Sequence, residues 1–337
     1  MRLFRYILRR LLLLIPVLLG ALFVAFILTR IVPGNPIERV AGPYASDEQV
    51  AQMKEDANLD ETIIVQFLIY LKDLLNGDMG DSFFTGQPVR DDLRTRFPAT
   101  MELVLYGMLL GIVLAVPLGI VAATRHGSLV DHISRVIAVL GVSVPIFWIG
   151  LVLLTIFYDK LGLLPGPVGR LPIGAPRPSN VTGLYTVDAI IARDWSTFVD
   201  AAKALILPAV TIGITAMAPI ARMTRSTMID ALDSDYIRTA RSMGLPARRI
   251  VLHHALKNAM IPVLTLIAAV FGFLIGGEVL VEIIFSWNGV GLYSYNAILN
   301  SDFPAIQGFI LVVTTIYILI YLVVDVATAI LDPRVEF

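Results

Sequence analysis

Six long runs without a charged residue recur along the chain, at 11–28, 103–123, 136–158, 204–221, 259–277 and 303–324, each set off by polar sequence. A helix rises about 1.5 Å per residue, so about 20 apolar residues cross the roughly 30 Å hydrocarbon core of a bilayer. The pattern predicts an all-α membrane protein with six transmembrane helices. The fifth run is expected to continue as helix through Glu278 and Glu282 to Phe285, and the sixth through Asp325 towards Leu331. Pro16, Pro117, Pro145, Pro208, Pro219 and Pro262 lie inside these runs. Proline is tolerated in membrane helices because neighbouring groups re-satisfy the freed carbonyl. Arg5, Arg9 and Arg10 precede the first run, but its apolar stretch is too long for a signal-peptide core and no small-x-small site follows. It reads as a retained first helix.

The polar segments divide the chain further. Residues 1–30 form an N-terminal segment and first span, 31–102 an insertion on the outer side, 103–331 a five-helix core, and 332–337 a tail. Within the insertion, Ser46-Asp47-Glu48 reads as a helix start. Residues 62–75 are apolar but too short to span, so they lie at the interface or pack on helix ends. The 159–203 segment is rich in Pro and Gly and is consistent with an ordered cap or a mobile cover. Arg2, Arg5, Arg9 and Arg10 put the N-terminus in the cytoplasm. Arg125 and Arg135 in the short 124–135 loop agree, as does the short 286–302 loop, which has neither Lys nor Arg. Six spans return the C-terminus, with Arg334, to the cytoplasm.

The same count places the 222–258 loop in the cytoplasm. It carries seven cationic residues, Arg222, Arg225, Arg238, Arg241, Arg248, Arg249 and Lys257. Ser234 is positioned to cap a short helix through Met243, with Asp235 at its positive end. Gly244 suits a left-handed C-terminal cap, and Pro246 can open a second helix at its first position. Tyr236, Ile237, Ala240 and Met243 then form an apolar stripe at helical spacing. A helix–bend–helix that inserts into a partner's cleft and a solvated basic loop both fit this pattern.

Composition narrows the class. Hydrophobic residues make up 57% of 337 positions and charged residues 16%, with a mean hydropathy of +0.79. Soluble domains run at about 45–50% apolar. A net charge of −1 gives no reason to expect nucleic acid. Without cysteine there are no disulfides or thiolate metal sites. His253-His254 and His126/His132 with Asp131 do not have the spacing of a helical zinc site, so no metal is expected. No Gly-x-x-x-x-Gly-Lys-[Ser/Thr] loop is present to cradle nucleotide phosphates. Gly141-Val142-Ser143-Val144-Pro145 fails the Gly-x-Ser-x-Gly nucleophile pattern. Buried acids remain. Glu278 and Glu282 sit four apart, either lining a path for solute or serving as helix-end carboxylates bonded to backbone. Phe147, Trp148 and Trp287 are open to being gates of such a path or interfacial anchors. Buried acids would also suit an ion-coupled secondary transporter acting alone.

The residues of the cytoplasmic loop resemble a known family, the permease subunits of binding-protein-dependent ABC importers, in the dipeptide/oligopeptide branch. The likeness runs through Asp235-Tyr236-Ile237-Arg238-Thr239-Ala240-Arg241, Gly244-Leu245, His254-Ala255-Leu256-Lys257-Asn258-Ala259 and Ile261-Pro262. It extends to Tyr6-Ile7-Leu8-Arg9-Arg10, Val32-Pro33-Gly34, Arg96-Phe97-Pro98-Ala99-Thr100 and Val144-Pro145-Ile146-Phe147-Trp148. Towards the end it takes in Glu282-Ile283-Ile284-Phe285-Ser286-Trp287, Asp302-Phe303-Pro304 and Asp332-Pro333-Arg334. Arg238-Thr239-Ala240 stands where the broader family has Glu-Ala-Ala, Lys257 where it has proline, and Asn288 where the branch has proline. The resemblance implies a six-helix importer permease in the bacterial inner membrane, with both termini cytoplasmic and a periplasmic insertion between the first two helices. It implies that Asp235, Tyr236, Ile237, Arg238, Thr239, Ala240, Arg241, Gly244 and Leu245 couple to one or two ATPase subunits. Those subunits would bind ATP and Mg, leaving this chain without a cofactor. A second permease, a soluble binding protein and a peptide substrate would complete the system, nickel complexes or glutathione being alternatives.

Overall fold

The computed structural model of the chain describes residues 2–31, 46, 48, 49, 51, 52 and 60–331. Val32-Pro33-Gly34, Asp47 and the 332–337 tail with Arg334 lie outside the described residues. With no water in a bilayer core, a spanning segment must pair its own backbone groups, and the described residues do this as helices, with no strand among them. Helix α1 is Arg2–Ile31, α2 Ile63–Leu75, α3 Val89–Thr124, α4 Leu129–Ser143 and α5 Ile146–Lys160, whose last turns are π-helical. Next come α6, Tyr185–Ile191, α7, Trp195–Leu232, α8, Asp235–Ser242, and α9, Ala247–Gly277, with a π-helical turn at Ile250–Ala255. Then follow α10, Val279–Ile284, α11, Val290–Leu299, and α12, Phe303–Leu331. Five of these helices are long and apolar enough to cross a membrane, or six if the bent pair α4–α5 is one span.

The centre of the bundle is the contact of α3 with α7. Small residues let the two backbones approach: Gly107 and Gly111 of α3 face Ala209, Ile212, Gly213 and Ala216 of α7. A Cβ on Gly107 would lie 2.5 Å from Ile212 Cγ2. Lipid tails are as apolar as leucine, so helices in a membrane associate through such close packing. Around this seam Leu103, Val104, Met108, Ile212, Ile220, Val263, Leu274 and Phe285 form the core. Large apolar side chains on α1, α4, α9 and α12 point out of the bundle, among them Leu12, Val24, Ile133, Val139, Phe273 and Val323.

Four features differ from the sequence reading. The third apolar run is two helices meeting at 101°. Val144 and Pro145 are extended there, because a residue before proline is pushed out of the α region. The remaining prolines named above do lie within helices. The fifth helix stops at Gly277; Glu278, with ψ at 24°, breaks it before α10 begins. Helices α3 and α7 overrun their apolar runs at both ends or one, at 36 and 38 residues. Only about 20 residues are needed to cross, so the excess stands in the polar flanks. Finally, residues 222–232 belong to α7 and 247–258 to α9, so the loop proper is short.

The segments between the long helices are ordered by capping. Ser46 Oγ accepts from Gln49 N while Gln49 Oε1 accepts from Ser46 N, a reciprocal capping box at the expected helix start. Helix α2 ends at Asn76-Gly77 and lays Phe67 edge-on against Phe23 and Phe26 of α1, so it packs on the C-terminal half of that helix. Asp302 caps α12 through Ala305 N and also accepts from Ser82 Oγ at 2.5 Å, tying the loop before α3 to α12.

The α3–α7 seam leaves no room for added carbon. Gly107→Leu is expected to destabilise the bundle by about 1–3 kcal/mol, the usual range for overpacking, lowering the thermal unfolding midpoint of the purified protein in detergent. An unchanged midpoint would show that the seam does not hold the bundle together.

Candidate functional site

The hairpin at the end of α7 is built by three local devices. Ser234 precedes α8 with extended backbone, but its hydroxyl donates to Ala231 O at 2.5 Å instead of capping α8. Gly244 has φ +75°, the left-handed conformation that favours glycine. Leu245 N then bonds Ala240 O and Gly244 N bonds Arg241 O, the paired bonds of a Schellman cap. Pro246 stands at the N-cap of the next helix rather than its first position, with Ala247 opening it.

The expected apolar stripe divides into two. Ile237 and Ala240 are buried with Ala123 of α3, Met228 and Ala231 of α7, and Ile250, Ala255 and Ala259 of α9, while Leu245 packs against the same group. Tyr236 and Met243 face outward, 42% and 75% exposed. Asp235, Arg238 and Thr239 are also exposed, and the Asp235–Arg238 pair at 3.1 Å is a weak surface contact. Arg241 reaches back to Leu232 O at the C-terminus of α7, where a cation is favoured. The hairpin is thus fastened to the ends of three long helices on one side. On the other it presents a tyrosine, a methionine and a cation.

Beside it, Arg225 of α7 makes two bonds to Asp131 of α4, at 2.5 and 2.9 Å. Asp131 is fully buried and also accepts from Gly127 N. In the sequence Asp131 stands out only as a potential metal ligand. Its 94-residue separation from Arg225 gives no local signal of the pair. Among the described residues no three His, Asp or Glu side chains converge as a metal site requires.

At the opposite end of the bundle lie the buried carboxylates. Glu282 on α10 is fully buried; Thr100 Oγ1 of α3 donates to its Oε1 at 2.5 Å and Leu292 N to its Oε2 at 2.7 Å. Leu292 is in the first turn of α11, whose positive end favours a carboxylate. Val290 N donates to the same threonine. Gly289 is required by close approach, since a Cβ there would collide with Glu282 and Thr100. Trp287 is equally buried and donates its indole N–H to Ala99 O at 2.7 Å. Glu282 is thus bonded by one backbone N–H and one hydroxyl, and Trp287 is buried against α3. Glu278 is buried at the break between α9 and α10, and its Oε2 has no hydrogen-bond partner among the described residues. Phe147 and Trp148 follow the Pro145 break on α5 and are 42% and 53% exposed.

The 159–203 segment is an ordered cap. Arg170 bonds Glu102 of α3 at 2.6 and 3.1 Å and Gly183 O at 2.7 Å, and lies 3.5 Å over the Tyr185 ring. Glu102 also accepts from Thr186 N and Oγ1, and Gly169 N reaches Phe285 O. Burial opposes the charge of Asp188, but hydrogen bonds from Thr182 and Gly183 outweigh it and hold its carboxyl below the usual range. Arg96 bonds Asn288, so the asparagine that departs from the branch pattern joins the outer loop to α3.

Removing a buried acceptor is costlier than removing its charge. Glu282→Ala strands the Leu292 N–H and the Thr100 hydroxyl, at about 1–3 kcal/mol each, read as poor yield and early unfolding in detergent. Glu282→Gln keeps an acceptor and is expected to fold and to retain most activity. Equal behaviour of the two variants would overturn the anchoring role.

Similarity to known proteins covers the whole chain. Residues 115–337 match the family described as binding-protein-dependent transport system inner membrane component, and residues 3–104 match the N-terminal part of such membrane components. A dipeptide transport system permease protein of Alkalihalophilus pseudofirmus is 44% identical over 98% of this chain and 99% of its own length. A probable D,D-dipeptide transport system permease protein of Escherichia coli is 42% identical, over 96% and 94%. A di/tripeptide transport system permease protein of Pseudomonas aeruginosa is 41% identical, over 98% of each. Five or six membrane-crossing helices, a basic hairpin on one face and likeness from end to end agree: the chain is a multi-pass inner membrane protein and belongs to the family of binding-protein-dependent transport system inner membrane components.

Proposed function

We propose that this chain is one of two homologous permease subunits of an ATP-driven importer of di- and oligopeptides. A soluble binding protein delivers the peptide from outside, and separate ATPase subunits bind ATP and Mg. The observation that carries this reading is the identity of 41–44% to permeases named for dipeptide or di/tripeptide transport, spread over nearly all of the chain. In the proposed arrangement the bent pair α4–α5 counts as the third of six spans, both termini are cytoplasmic, and 31–102 is a periplasmic insertion. The 103–331 core then carries the path and the 332–337 tail is cytoplasmic.

The hairpin is the proposed contact with the ATPase. Asp235, Tyr236, Arg238 and Thr239 face outward and meet the partner. Ile237, Ala240 and Leu245 pass its displacement to α3, α7 and α9 through their shared apolar cluster. Arg241 fixes the hairpin to α7 and Gly244 sets its bend. A bistable bundle needs this kind of rigid attachment, because a partner shifts its equilibrium only through contacts that differ between the two states. For the path itself, Glu278, Phe147 and Trp148 are the candidates left with atoms or faces unengaged by this chain. Glu282 and Trp287 bound it from behind by holding α10 and α11 in place.

Two measurements test the reading. Reconstituted with its second permease, ATPases and binding protein, the chain is expected to take up dipeptide only with ATP; uptake by this chain alone in vesicles would overturn the proposal. Gly244→Val forces a β-branched residue into φ +75° and breaks the Schellman cap, at a cost of about 1–3 kcal/mol. Expected are normal insertion, retained ATP hydrolysis and uptake reduced roughly fivefold or more, since 1.4 kcal/mol is a factor of ten. Wild-type uptake by that variant would exclude the hairpin as the coupling element.

A further inference from the structure

A cavity of about 310 Å³ opens between α3, α4 and α7 at the membrane face that carries the hairpin. Its walls are small and apolar: Gly119 and Ala122 of α3, Ala138 of α4 and Ala221 of α7. Leu118 and Val139 extend the apolar lining. Its polar end is formed by three arginines, Arg135, Arg222 and Arg225. Asp131 neutralises one charge only, bonding Arg225 closely and lying 3.8 Å from Arg135. Arg222 is exposed and makes no hydrogen bond or ion pair among the described residues. The site therefore combines an apolar slot with a rim of net positive charge.

Nothing within the described chain fills that slot. The apolar run of α7 ends at Ala221 and the cations begin at Arg222, so slot and rim straddle the boundary between hydrocarbon and headgroup. The neighbouring surface of α4 is itself apolar, with Ile133, Val136 and Leu140 each more than half exposed. A soluble anion would find the rim but leave the slot empty. A neutral lipid would fill the slot but leave Arg222 unpaired. Both halves are satisfied together by an amphiphile with an acyl chain and a phosphate headgroup of net negative charge, the ligand class favoured by basic pockets between membrane helices.

We propose that the α3–α4–α7 cavity is a binding site for an anionic phospholipid, its acyl chain between Gly119, Ala138 and Ala221 and its phosphate on Arg222 and Arg135. The bound lipid then bridges α4 and α7 next to the Asp131–Arg225 pair. The site is separate from the hairpin surface and from the carboxylates at the other end of the bundle, so it stands or falls independently of the transport reading.

Native mass spectrometry of the full chain, with phosphatidylglycerol and phosphatidylethanolamine of the same chain length offered in equal amounts, tests this. Phosphatidylglycerol is expected to be retained preferentially. Each arginine at a membrane surface contributes about 1 kcal/mol towards anionic lipid, so Arg222→Gln and Arg135→Gln should each reduce the preference roughly fivefold. Arg222→Lys should restore most of it. Ala138→Phe fills the slot and should abolish lipid retention while leaving Arg222 in place. Equal retention of the two lipids, or an undiminished preference in the double glutamine variant, would overturn the proposal. Displacement of the lipid by millimolar inorganic phosphate would identify a site for free phosphate instead. Loss of the lipid on assembly with the second permease would show that a protein surface covers this face. Either result would also overturn it.

Discussion

Close approach of two long helices is the constraint on which the bundle depends. In lipid there is little hydrophobic gain in bringing helices together, so packing and buried polar contacts must do so. Gly107, Gly111 and Gly213 let α3 and α7 meet at backbone distance, and the other spans gather around this pair. Buried ion pairs bracket the seam at both ends. Glu102 of α3 holds Arg170 of the outer cap, and Arg225 of α7 holds Asp131 of α4. Such pairs contribute modest net stability, but leaving either partner alone costs about 3–5 kcal/mol. Their effect is to specify which segment docks on which helix.

The position of the hairpin follows from the same seam. The long helices α3, α7 and α9 meet near α8, whose two buried residues, Ile237 and Ala240, belong to one apolar cluster with residues from the ends of all three. The Schellman cap at Gly244 fixes the angle at which the chain turns into α9, and Arg241 ties α8 to the last carbonyls of α7. The exposed side, with Tyr236 and Met243, has no partner role inside the bundle. The element is packed on the bundle on one side and exposed on the other.

Much of this was legible from residues alone, for reasons that can be named. Apolar runs report where hydrocarbon must be met, so they located the spans. They did not report helix ends, because helix continues wherever capping and packing allow; α3 therefore starts at Val89, well before its apolar run. Gly244 announced its bend because a positive φ selects glycine locally. Pro145 did not announce its break, since five other prolines in comparable runs remain inside helices. The outer cap was undecidable as sequence because its order rests on Glu102, 68 positions from Arg170. Partners so distant leave no periodicity to read. The same holds for Thr100 and Glu282, and for Ser82 and Asp302.

Glu278 and Glu282 make the limit of sequence reading concrete. They are the same residue type, one helical turn apart, both buried, and both sit at the end of the same apolar run. Spacing alone treats them as equivalents. The break at Glu278 separates their surroundings: Glu282 falls against Thr100 and the first turn of α11, where donors converge on both of its oxygens. Glu278 stays at the junction, and one of its oxygens finds no donor. A buried acceptor left unsatisfied costs about 1–3 kcal/mol, a cost that Glu282, bonded at both oxygens, does not carry. Two acids of one type, one turn apart, thus end with different bonding: both oxygens of Glu282 are engaged, while Oε2 of Glu278 is unbonded among the described residues.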